Sequence, residues 1–378
     1  MSQQHFIYLD NNATTRLDQR VLDFMLPYFI ESYANASSNH LAGLTIQEAV
    51  ENAKWQTANL IGANEEEIIF TSGATESINL AIKGLANSAK KHIVTVATEH
   101  KAVLETCQFM ETIGFDVTYL PVLTDGLLDL TLLTDAITDK TLLVIIMIAN
   151  NETGVFQDIE AISKIVHTKN ALFMCDATQA VGKISVDVKK LSIDLMPLSA
   201  HKFYGPKGIG ALYISAKAKL KLIPQLHGGG QQQKLRSGTL NVPAIIGLGK
   251  ACEIAEAEMK TDQTRITKLR DELEEGLLQI EGSFINGDKD HRMYNTSNIC
   301  FPGVNSERLI LALQNISVSN GASCSAVTSE PSHVLKALGL SDENALSSIR
   351  FSLGKFTTSA EIKEAVERVK ILVQQLNS

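Results

Sequence analysis

The chain has 378 residues, 44% of them hydrophobic and 20% charged, without any block of like charge. This composition is typical of a folded globular protein, and the length predicts a large domain with a smaller one attached. With 42 acidic and 34 basic residues, the formal net charge is -8. Because a negative protein repels phosphate backbones and anionic lipids, we expect no direct binding to nucleic acid or to a membrane.

The N-terminal segment and the cysteines restrict the cellular setting. Met1–His5 has neither the basic flank nor the apolar stretch of a secretory signal, which predicts a cytoplasmic protein. The most apolar run, Leu142–Ala149, is too short to cross a bilayer and is typical of a buried strand. The five cysteines are widely spaced and contain no C-x-x-C pair, so neither a disulfide framework nor a metal site is predicted.

Short apolar runs alternate with amphipathic stretches from about residue 66 to residue 215. This alternation is typical of an α/β fold with a mostly parallel sheet, and fully apolar runs indicate strands that are covered on both faces. The predicted strands are Glu67–Phe70, His92–Ala97, Leu142–Ala149, Ala171–Cys175, Leu195–Leu198 and Gly210–Ile214.

The rest of the chain predicts helices and a second domain. Ala244–Met259 and Ile266–Leu278 have helical patterns, and the charge of the second suggests an exposed link with a domain boundary near residue 260. We therefore predict a large domain of residues 13–260 and a small α+β domain of residues 1–12 and 261–378. A capping pattern at Thr358 and Glu361, followed by apolar residues at helical spacing, predicts a C-terminal helix.

Polar residues follow most of the predicted strands, at the edge where open α/β sheets bind ligands. After the first strand, Thr71–Ile78 combines small residues with the start of an apolar helix, whose free N–H groups could cradle a phosphate. The segment lacks the lysine of a P-loop and the G-x-G-x-x-G of a dinucleotide fold. A capped helix start without a ligand explains the same pattern.

Lys202 and Asp176 suggest a specific cofactor chemistry. Lys202 follows an apolar strand, so its amine would enter a cleft where loss of water favours the neutral form, which can form a Schiff base with an aldehyde. Asp176 ends another buried strand and needs a cationic partner, such as a pyridinium nitrogen. With the phosphate cradle, these are the groups that proteins supply to pyridoxal phosphate. The alternative for Lys202 is a lysine that is merely solvated at a turn, and the alternative for Asp176 is a structural salt bridge.

His100 and Arg350 are further candidates. His100 could stack on an aromatic cofactor and move protons, although an isolated histidine is more often structural. A zinc site of His100, Asp176 and His201 has no supporting ligand spacing. Arg350 is a lone charge in a strand-like segment, which either a substrate carboxylate or a structural ion pair would explain.

Cys324 lies in Ser317–His333, a run of small polar residues without helical or strand periodicity. The run predicts a mobile loop whose cysteine can act as a nucleophile. Pro331 suits the first turn of a helix through Leu338 that would anchor the loop. The other cysteines have apolar or helical neighbours and are predicted to be core residues. They are Cys107, Cys175, Cys252 and Cys300.

Nine short segments, in order along nearly the whole chain, carry a resemblance to a known family. They are Tyr8–Thr15, Ser72–Ser77, Thr98–His100, Ala149–Gly154, Asp176–Gln179, Ser199–Lys202, Arg236–Thr239, Ser329–Ser332 and Ile349–Ser352. With Cys324, they resemble the cysteine desulfurases of the NifS and IscS type, within the class V aminotransferase group of fold-type I pyridoxal-phosphate enzymes. The resemblance implies a seven-stranded, mostly parallel sheet flanked by helices, plus a smaller α+β domain.

The resemblance also implies a role for each candidate residue. Lys202 would hold pyridoxal 5'-phosphate covalently, and His100 would stack on its ring. Asp176 would contact the pyridine nitrogen, and Gln179 the phenolic oxygen. The phosphate would be bound by Ala74, Thr75, Ser199 and His201 and, in a homodimer, by Thr239 of the partner subunit. The substrate carboxylate would be bound by Asn151 and Arg350.

The implied reaction converts L-cysteine to L-alanine and leaves a persulfide on Cys324, to be passed to an iron–sulfur scaffold or another sulfur-acceptor protein. Cys324 could also bind a scaffold's cluster transiently. There are three alternatives: a selenocysteine lyase, an aminotransferase, which would need no thiol, and a sulfur-trafficking protein without turnover.

The chain departs from the family pattern at three places. Alanine stands at position 36, where proline is usual, and Gln231–Gln233 lack the usual glutamate and arginine. The order of Ala322 and Ser323 is also the reverse of the common one.

Overall fold

The computed structural model describes residues 6–321 and 330–377. In chain order its strands are β1 (Ile7–Tyr8), β2 (Ile68–Thr71), β3 (His92–Val96), β4 (Asp116–Leu120), β5 (Thr141–Ile145), β6 (Leu172–Met174), β7 (Leu195–Ser199), β8 (Gly210–Ile214), β9 (Phe284–Ile285), β10 (Thr296–Cys300), β11 (Ile316–Ser317) and β12 (Ser348–Ser352). The helices are α1 (Gln19–Met25), α2 (Pro27–Ile30), α3 (Leu41–Leu60), α4 (Ala74–Lys83), α5 (Lys101–Thr112), α6 (Leu130–Ala136), α7 (Ile159–Thr168), α8 (Ala216–Lys219), α9 (Val242–Leu277), α10 (Ser306–Leu313), α11 (His333–Ala337), α12 (Asp342–Leu346) and α13 (Ser359–Asn377).

A seven-stranded sheet forms the centre of the molecule, in the order β2, β8, β7, β6, β5, β3, β4. Within it β8 runs antiparallel to both neighbours, and the other pairings are parallel. The predicted α/β class and mostly parallel sheet are therefore confirmed. All six predicted strands are present, and Gly210–Ile214 has the predicted limits.

Two strand predictions differ from the structure. Leu142–Ala149 was predicted as one strand, but β5 ends at Ile145. Beyond it the backbone pairing with β3 ends, while Ile146 N still donates to Met174 O at 3.1 Å and Ile148 N to Asp176 O at 2.9 Å. The edge strand β4 carried no prediction, because its residues are mostly polar and only partly buried.

Both faces of the sheet are covered by helices. On one face, side chains such as Ile93 and Leu143 pack against the apolar residues of α4 and α5. On the other face, a larger core joins the sheet to α3, α7 and α9 and extends to apolar residues of β10, β12 and α13. Burial on both faces explains why the central strands are apolar throughout.

Helix α9 replaces the two helices predicted for this region. It runs for 36 residues, or about 54 Å. Its first half packs on α3, where a Cβ added to Gly249 would lie 2.8 Å from the Ala53 Cβ. The charged residues around position 260 lie on partly or fully exposed positions of this continuous helix. The division into domains at residue 260 stays a prediction.

The C-terminal part contains a small antiparallel sheet, β12-β10-β9, and β11, which pairs in parallel with β1. The capping box at the start of α13 is confirmed: Thr358 N donates to Glu361 Oε2 at 2.8 Å, and Glu361 N donates to Thr358 Oγ1 at 3.3 Å. Pro331 precedes α11 instead of entering its first turn, because Ser332 is the N-cap. The four cysteines predicted for the core are buried.

Within residues 6–321 and 330–377, no helix is long and apolar enough to span a membrane.

Candidate active site

A cavity of about 670 Å³ is lined by residues that follow β2, β3, β5, β6 and β7. Ten of the predicted site residues line it: Ala74, Thr75, His100, Asn151, Asp176, Gln179, Ser199, His201, Lys202 and Arg350. Thr239 does not, since it is exposed beside a different groove with Tyr28 and Tyr33. Cys324 lies outside the described residues.

The N-terminus of α4 forms one end of the cavity. Gly73 is its N-cap, and the amide N–H groups of Ala74, Thr75 and Glu76 meet no acceptor among the residues that the structure describes. A Cβ on Gly210 would lie 2.7 Å from Gly73 Cα, so this close approach requires a glycine in β8. Free N–H groups at the positive end of a helix make a site for a phosphate.

Lys202 follows β7, in a short 3-10 turn of residues 200–202. Its Nζ donates to two backbone carbonyls, Asn12 O at 2.6 Å and Ala13 O at 2.8 Å. Burial, followed by the nearby Arg350 charge, lowers the pKa of Lys202 to about 8. Burial and the Lys202 charge likewise lower the pKa of the adjacent His201 to about 4. The site therefore makes the neutral, nucleophilic form of the Lys202 amine more populated than it is in a solvent-exposed lysine.

Asp176 follows β6 and is 5% exposed. Its Oδ1 accepts from Thr178 N at 2.9 Å and from Thr178 Oγ1 at 2.5 Å, while its Oδ2 has no hydrogen-bond donor in the described part of the chain. No lysine, arginine or histidine there forms an ion pair with it, so the structural salt bridge that was the alternative is not observed. A buried carboxylate with one open oxygen is suited to a cationic ligand atom.

His100 is the N-cap of α5, where its Nδ1 accepts from Ala102 N at 3.1 Å. This bond leaves the proton of the neutral ring on Nε2. Burial lowers the pKa of His100, more than the nearby Asp176 carboxylate raises it. The described residues contain no group of three His, Cys, Asp or Glu side chains that could hold a metal ion.

Arg350, on β12, already has an acidic partner that sequence reasoning missed. Its Nη2 lies 2.6 Å from Asp10 Oδ1, and its Nη1 donates to Asn151 O at 2.9 Å. The structural ion pair considered for this residue therefore exists, while the guanidinium also lines the cavity. Its buried Nε has no partner in the described residues.

Asn12 and Lys183 are further residues of the site that sequence reasoning missed. Asn12 O accepts from Lys202 and from Gln179 Nε2, the latter at 2.9 Å, and Asn12 Nδ2 donates to Thr296 Oγ1 at 2.9 Å. Lys183 Nζ donates to Gln179 Oε1 at 2.8 Å. The only signals in the sequence were the position of Asn12 inside Tyr8–Thr15 and the i,i+4 spacing of Gln179 and Lys183.

Comparison with known proteins gives the family. The family model of Aminotransferase class-V matches residues 7–365. The "Cysteine desulfurase IscS" of Methylobacillus flagellatus is 49% identical over 375 residues, covering 98% of this chain and 93% of that protein. The protein of the same name from Colwellia psychrerythraea is 50% identical over 370 residues, covering 96% and 92%.

Solved structures agree with this assignment. A structure described as "NIFS-LIKE PROTEIN" has a TM-score of 0.92 at 39% identity, covering 98% of this chain and 100% of that chain. The NifS-like protein from Rickettsia africae has a TM-score of 0.89 at 33% identity, with the same coverage. On the sequence and the fold alike, this chain belongs to the aminotransferase class-V family.

Proposed function

We propose that this protein is a cysteine desulfurase that uses pyridoxal phosphate. It takes the sulfur of L-cysteine onto Cys324, releases L-alanine and passes the sulfur to an iron–sulfur scaffold or another acceptor protein. One observation carries the proposal: the Lys202 amine, the Asp176 carboxylate and the free N–H groups of α4 line the same cavity. Relatives that match almost the whole chain at close to half identity are named cysteine desulfurases.

The described residues fit pyridoxal phosphate at three points. The amine of Lys202 has a lowered pKa and is bonded only to carbonyl oxygens, so it is available to an aldehyde. The open oxygen of Asp176 suits a protonated ring nitrogen, and the N-terminus of α4 suits a phosphate. The residues that would hold the group are Ala74, Thr75, His100, Asp176, Gln179, Ser199, His201 and Lys202. When bound, it withdraws electrons from the substrate carbons.

The side chains around it would bind the substrate and move protons. Asn151 and Arg350 would bind the carboxylate of cysteine, with the Arg350 guanidinium shared between that group and Asp10. The neutral His100 ring keeps its proton on Nε2, where it can be exchanged with a reacting atom. Lys202, released when substrate takes its place, would supply a neutral amine that can accept the α-proton.

Cys324 would complete the sulfur transfer. Its thiolate attacks the sulfur of the substrate, a new S–S bond forms, and the substrate C–S bond breaks with its electron pair passing to the carbon side. The carbon is then protonated and leaves as alanine. The sum is cysteine plus a thiol giving alanine plus a persulfide, so no external oxidant or reductant is needed until the persulfide is released.

Replacing Cys324 with alanine tests this function. With L-cysteine and dithiothreitol, we expect the wild type to release sulfide and alanine in equal amounts, and Cys324→Ala to lose on the order of 10³-fold or more of this rate. Mass spectrometry before reduction should find one added sulfur on Cys324. Cys252→Ala is the matched control, because burial raises the pKa of that thiol to about 12 and makes it unreactive.

Normal release of sulfide by Cys324→Ala would contradict the persulfide route. When pyruvate is added, alanine formation that consumes the pyruvate and releases no sulfide would instead favour the aminotransferase alternative. Turnover of selenocysteine but not of cysteine by the wild type would favour the lyase.

We also propose that the working enzyme is a homodimer. Thr239 is exposed and lies away from the cavity of its own chain, where a second copy could receive it. Near it in the fold, residues 24–44 expose several large apolar side chains. Ile30 is 75% exposed and Tyr33, which shares a groove with Thr239, is 77% exposed. Apolar surface of this kind usually marks an interface.

Substituting Ile30 by glutamate should separate the subunits. We expect light scattering to give the mass of a dimer for the wild type and of a monomer for Ile30→Glu. The monomer should bind pyridoxal phosphate more weakly, since Thr239 of the partner subunit is lost. Leu220→Glu, at the 91% exposed C-cap of α8, is the control and should remain a dimer. A monomeric wild type with full cofactor affinity would refute the proposal.

A further inference from the structure

Lys183 is a buried lysine that no step of the proposed reaction uses. It is 5% exposed, and its Nζ donates to Gln179 Oε1 at 2.8 Å and to Asn12 Oδ1 at 3.4 Å. No carboxylate forms an ion pair with it within the described ranges. Burial, together with the positive charges of Lys202 and Arg350, lowers its pKa to about 7. Burying an amine without an acidic partner costs folding free energy, so a role of Lys183 is to be sought in its contacts with Gln179 and Asn12.

The contact with Gln179 fixes the orientation of that amide. The ammonium form of Lys183 can only donate, so the atom facing it must be the amide oxygen. The amide nitrogen then faces Asn12 O, to which it donates one hydrogen at 2.9 Å. Its second hydrogen is left for a group in the cavity, which Gln179 lines. Lys183 itself does not line the cavity, but both residues that accept its hydrogen bonds do, and the shorter of the two bonds is the one to Gln179.

We infer that Lys183 is a positioning residue, which holds Gln179 Oε1 so that one Gln179 N–H is presented to an anionic oxygen of the ligand. This inference rests on the proposed function, in which that oxygen is the phenolic oxygen of pyridoxal phosphate. A hydrogen bond to an anionic oxygen favours the deprotonated form of the group that carries it. Lys183 therefore influences the acidity of the bound cofactor without contacting it.

The test is a pH titration of the visible absorption of the holoenzyme, without substrate. Methionine replaces the lysine in Lys183→Met with a side chain of similar length that cannot donate. We expect the midpoint of the spectral transition to rise by at least about one pH unit, because the deprotonated form loses a hydrogen bond. A variant at Lys90 is the matched control. Lys90 also donates to carbonyl oxygens, Thr141 O at 3.2 Å and Asn170 O at 3.4 Å, but away from the cavity, so Lys90→Met should leave the midpoint unchanged.

A double variant shows whether Lys183 acts through the amide. Gln179→Leu alone should raise the midpoint, and adding Lys183→Met to it should produce no further rise. A purely structural lysine would lower the melting temperature in Lys183→Met and leave the midpoint in place, which would overturn the inference. A further rise in the double variant would also overturn it, since Lys183 would then act independently of Gln179.

Two outcomes separate this inference from the proposed function. If the wild type develops no visible band with pyridoxal phosphate, the proposed function fails. If the band forms but Lys183→Met leaves its midpoint unchanged, the proposed function stands and the inference about Lys183 is wrong. Lys183→Leu, which also lacks a donor, should give the same rise of the midpoint and replaces the methionine variant if that variant folds poorly.

Discussion

Lys202→Ala is expected to abolish turnover and covalent cofactor attachment together. No other side chain described in the cavity combines an amine with a lowered pKa and bonds only to carbonyl oxygens. Reduction with borohydride, followed by peptide mapping, should place the cofactor on Lys202 in the wild type and nowhere in the variant. The exposed Lys207, which also lines the cavity, provides the control, because Lys207→Ala should still carry the label on Lys202. A label that persists in Lys202→Ala would show that another amine is the point of attachment.

The lowered pKa of Lys202 gives this prediction a pH dependence. Only the neutral amine attacks an aldehyde, and with a pKa of about 8 roughly one tenth of it is neutral at pH 7. The rate at which apoenzyme captures pyridoxal phosphate should therefore rise about tenfold from pH 6 to pH 7 and level off above pH 8. An ordinary lysine would still show a rising rate at pH 9. Stopped-flow absorbance distinguishes the two profiles.

The largest effect on stability is expected at a buried ion pair far along the chain. Arg292 Nη1 lies 2.5 Å from Glu274 Oε1 and Nη2 lies 2.7 Å from Oε2, with side chains 4% and 9% exposed. Arg292→Ala leaves the Glu274 carboxylate buried without its partner, so it should lower the free energy of unfolding by about 3–5 kcal/mol. Urea denaturation of the apoprotein, followed by circular dichroism, measures this change.

Two further variants define what the buried pair contributes. Lys164 and Glu160 form an exposed pair, with side chains 71% and 63% accessible, so Lys164→Ala should leave the urea midpoint almost unchanged. Replacing both buried partners, as Glu274→Leu with Arg292→Met, should recover much of the loss because neither charge is then left unpaired. An Arg292→Ala variant as stable as Lys164→Ala would contradict this prediction, because it would show that the Glu274 carboxylate does not depend on Arg292 to compensate its charge.

The sheet was largely predictable because burial leaves a direct pattern in the sequence. Strands covered on both faces need apolar residues throughout, which is why Gly210–Ile214 could be delimited correctly. The edge strand Asp116–Leu120 is only partly buried, and its polar residues conceal it. Helix α9 shows the opposite difficulty. Its second half carries the charges that suggested an exposed link, although Ile266, Leu269 and Leu273 are buried there and the backbone continues without a break.

The same reasoning explains which parts of the site could be predicted. Asp176 and Lys202 were predictable because parallel strands bring their carboxyl ends to one edge. The partners of these residues were not. Lys202 bonds to backbone carbonyls 189 and 190 residues away, which no side-chain pattern encodes. Asp10 meets Arg350 across 340 residues of sequence, a pairing that depends on the complete fold.

The pairing of the N-terminus with the end of the chain has a consequence for biosynthesis. Strand β1 is made before the other strands described, but it pairs with β11, and Asn11 N donates to Ser352 O at 3.0 Å. The central sheet lies between residues 68 and 214, so it can form on a partly synthesised chain, since domains tend to fold as their segments emerge. Asn12, which accepts a hydrogen bond from Lys202, is itself held by Ser352 Oγ and Thr296 Oγ1, and both of these residues are made after the central sheet. The central sheet can therefore form before the Asn12 carbonyl that contacts Lys202 is fixed in place, and the cavity is completed only after residues 296–352 have been made.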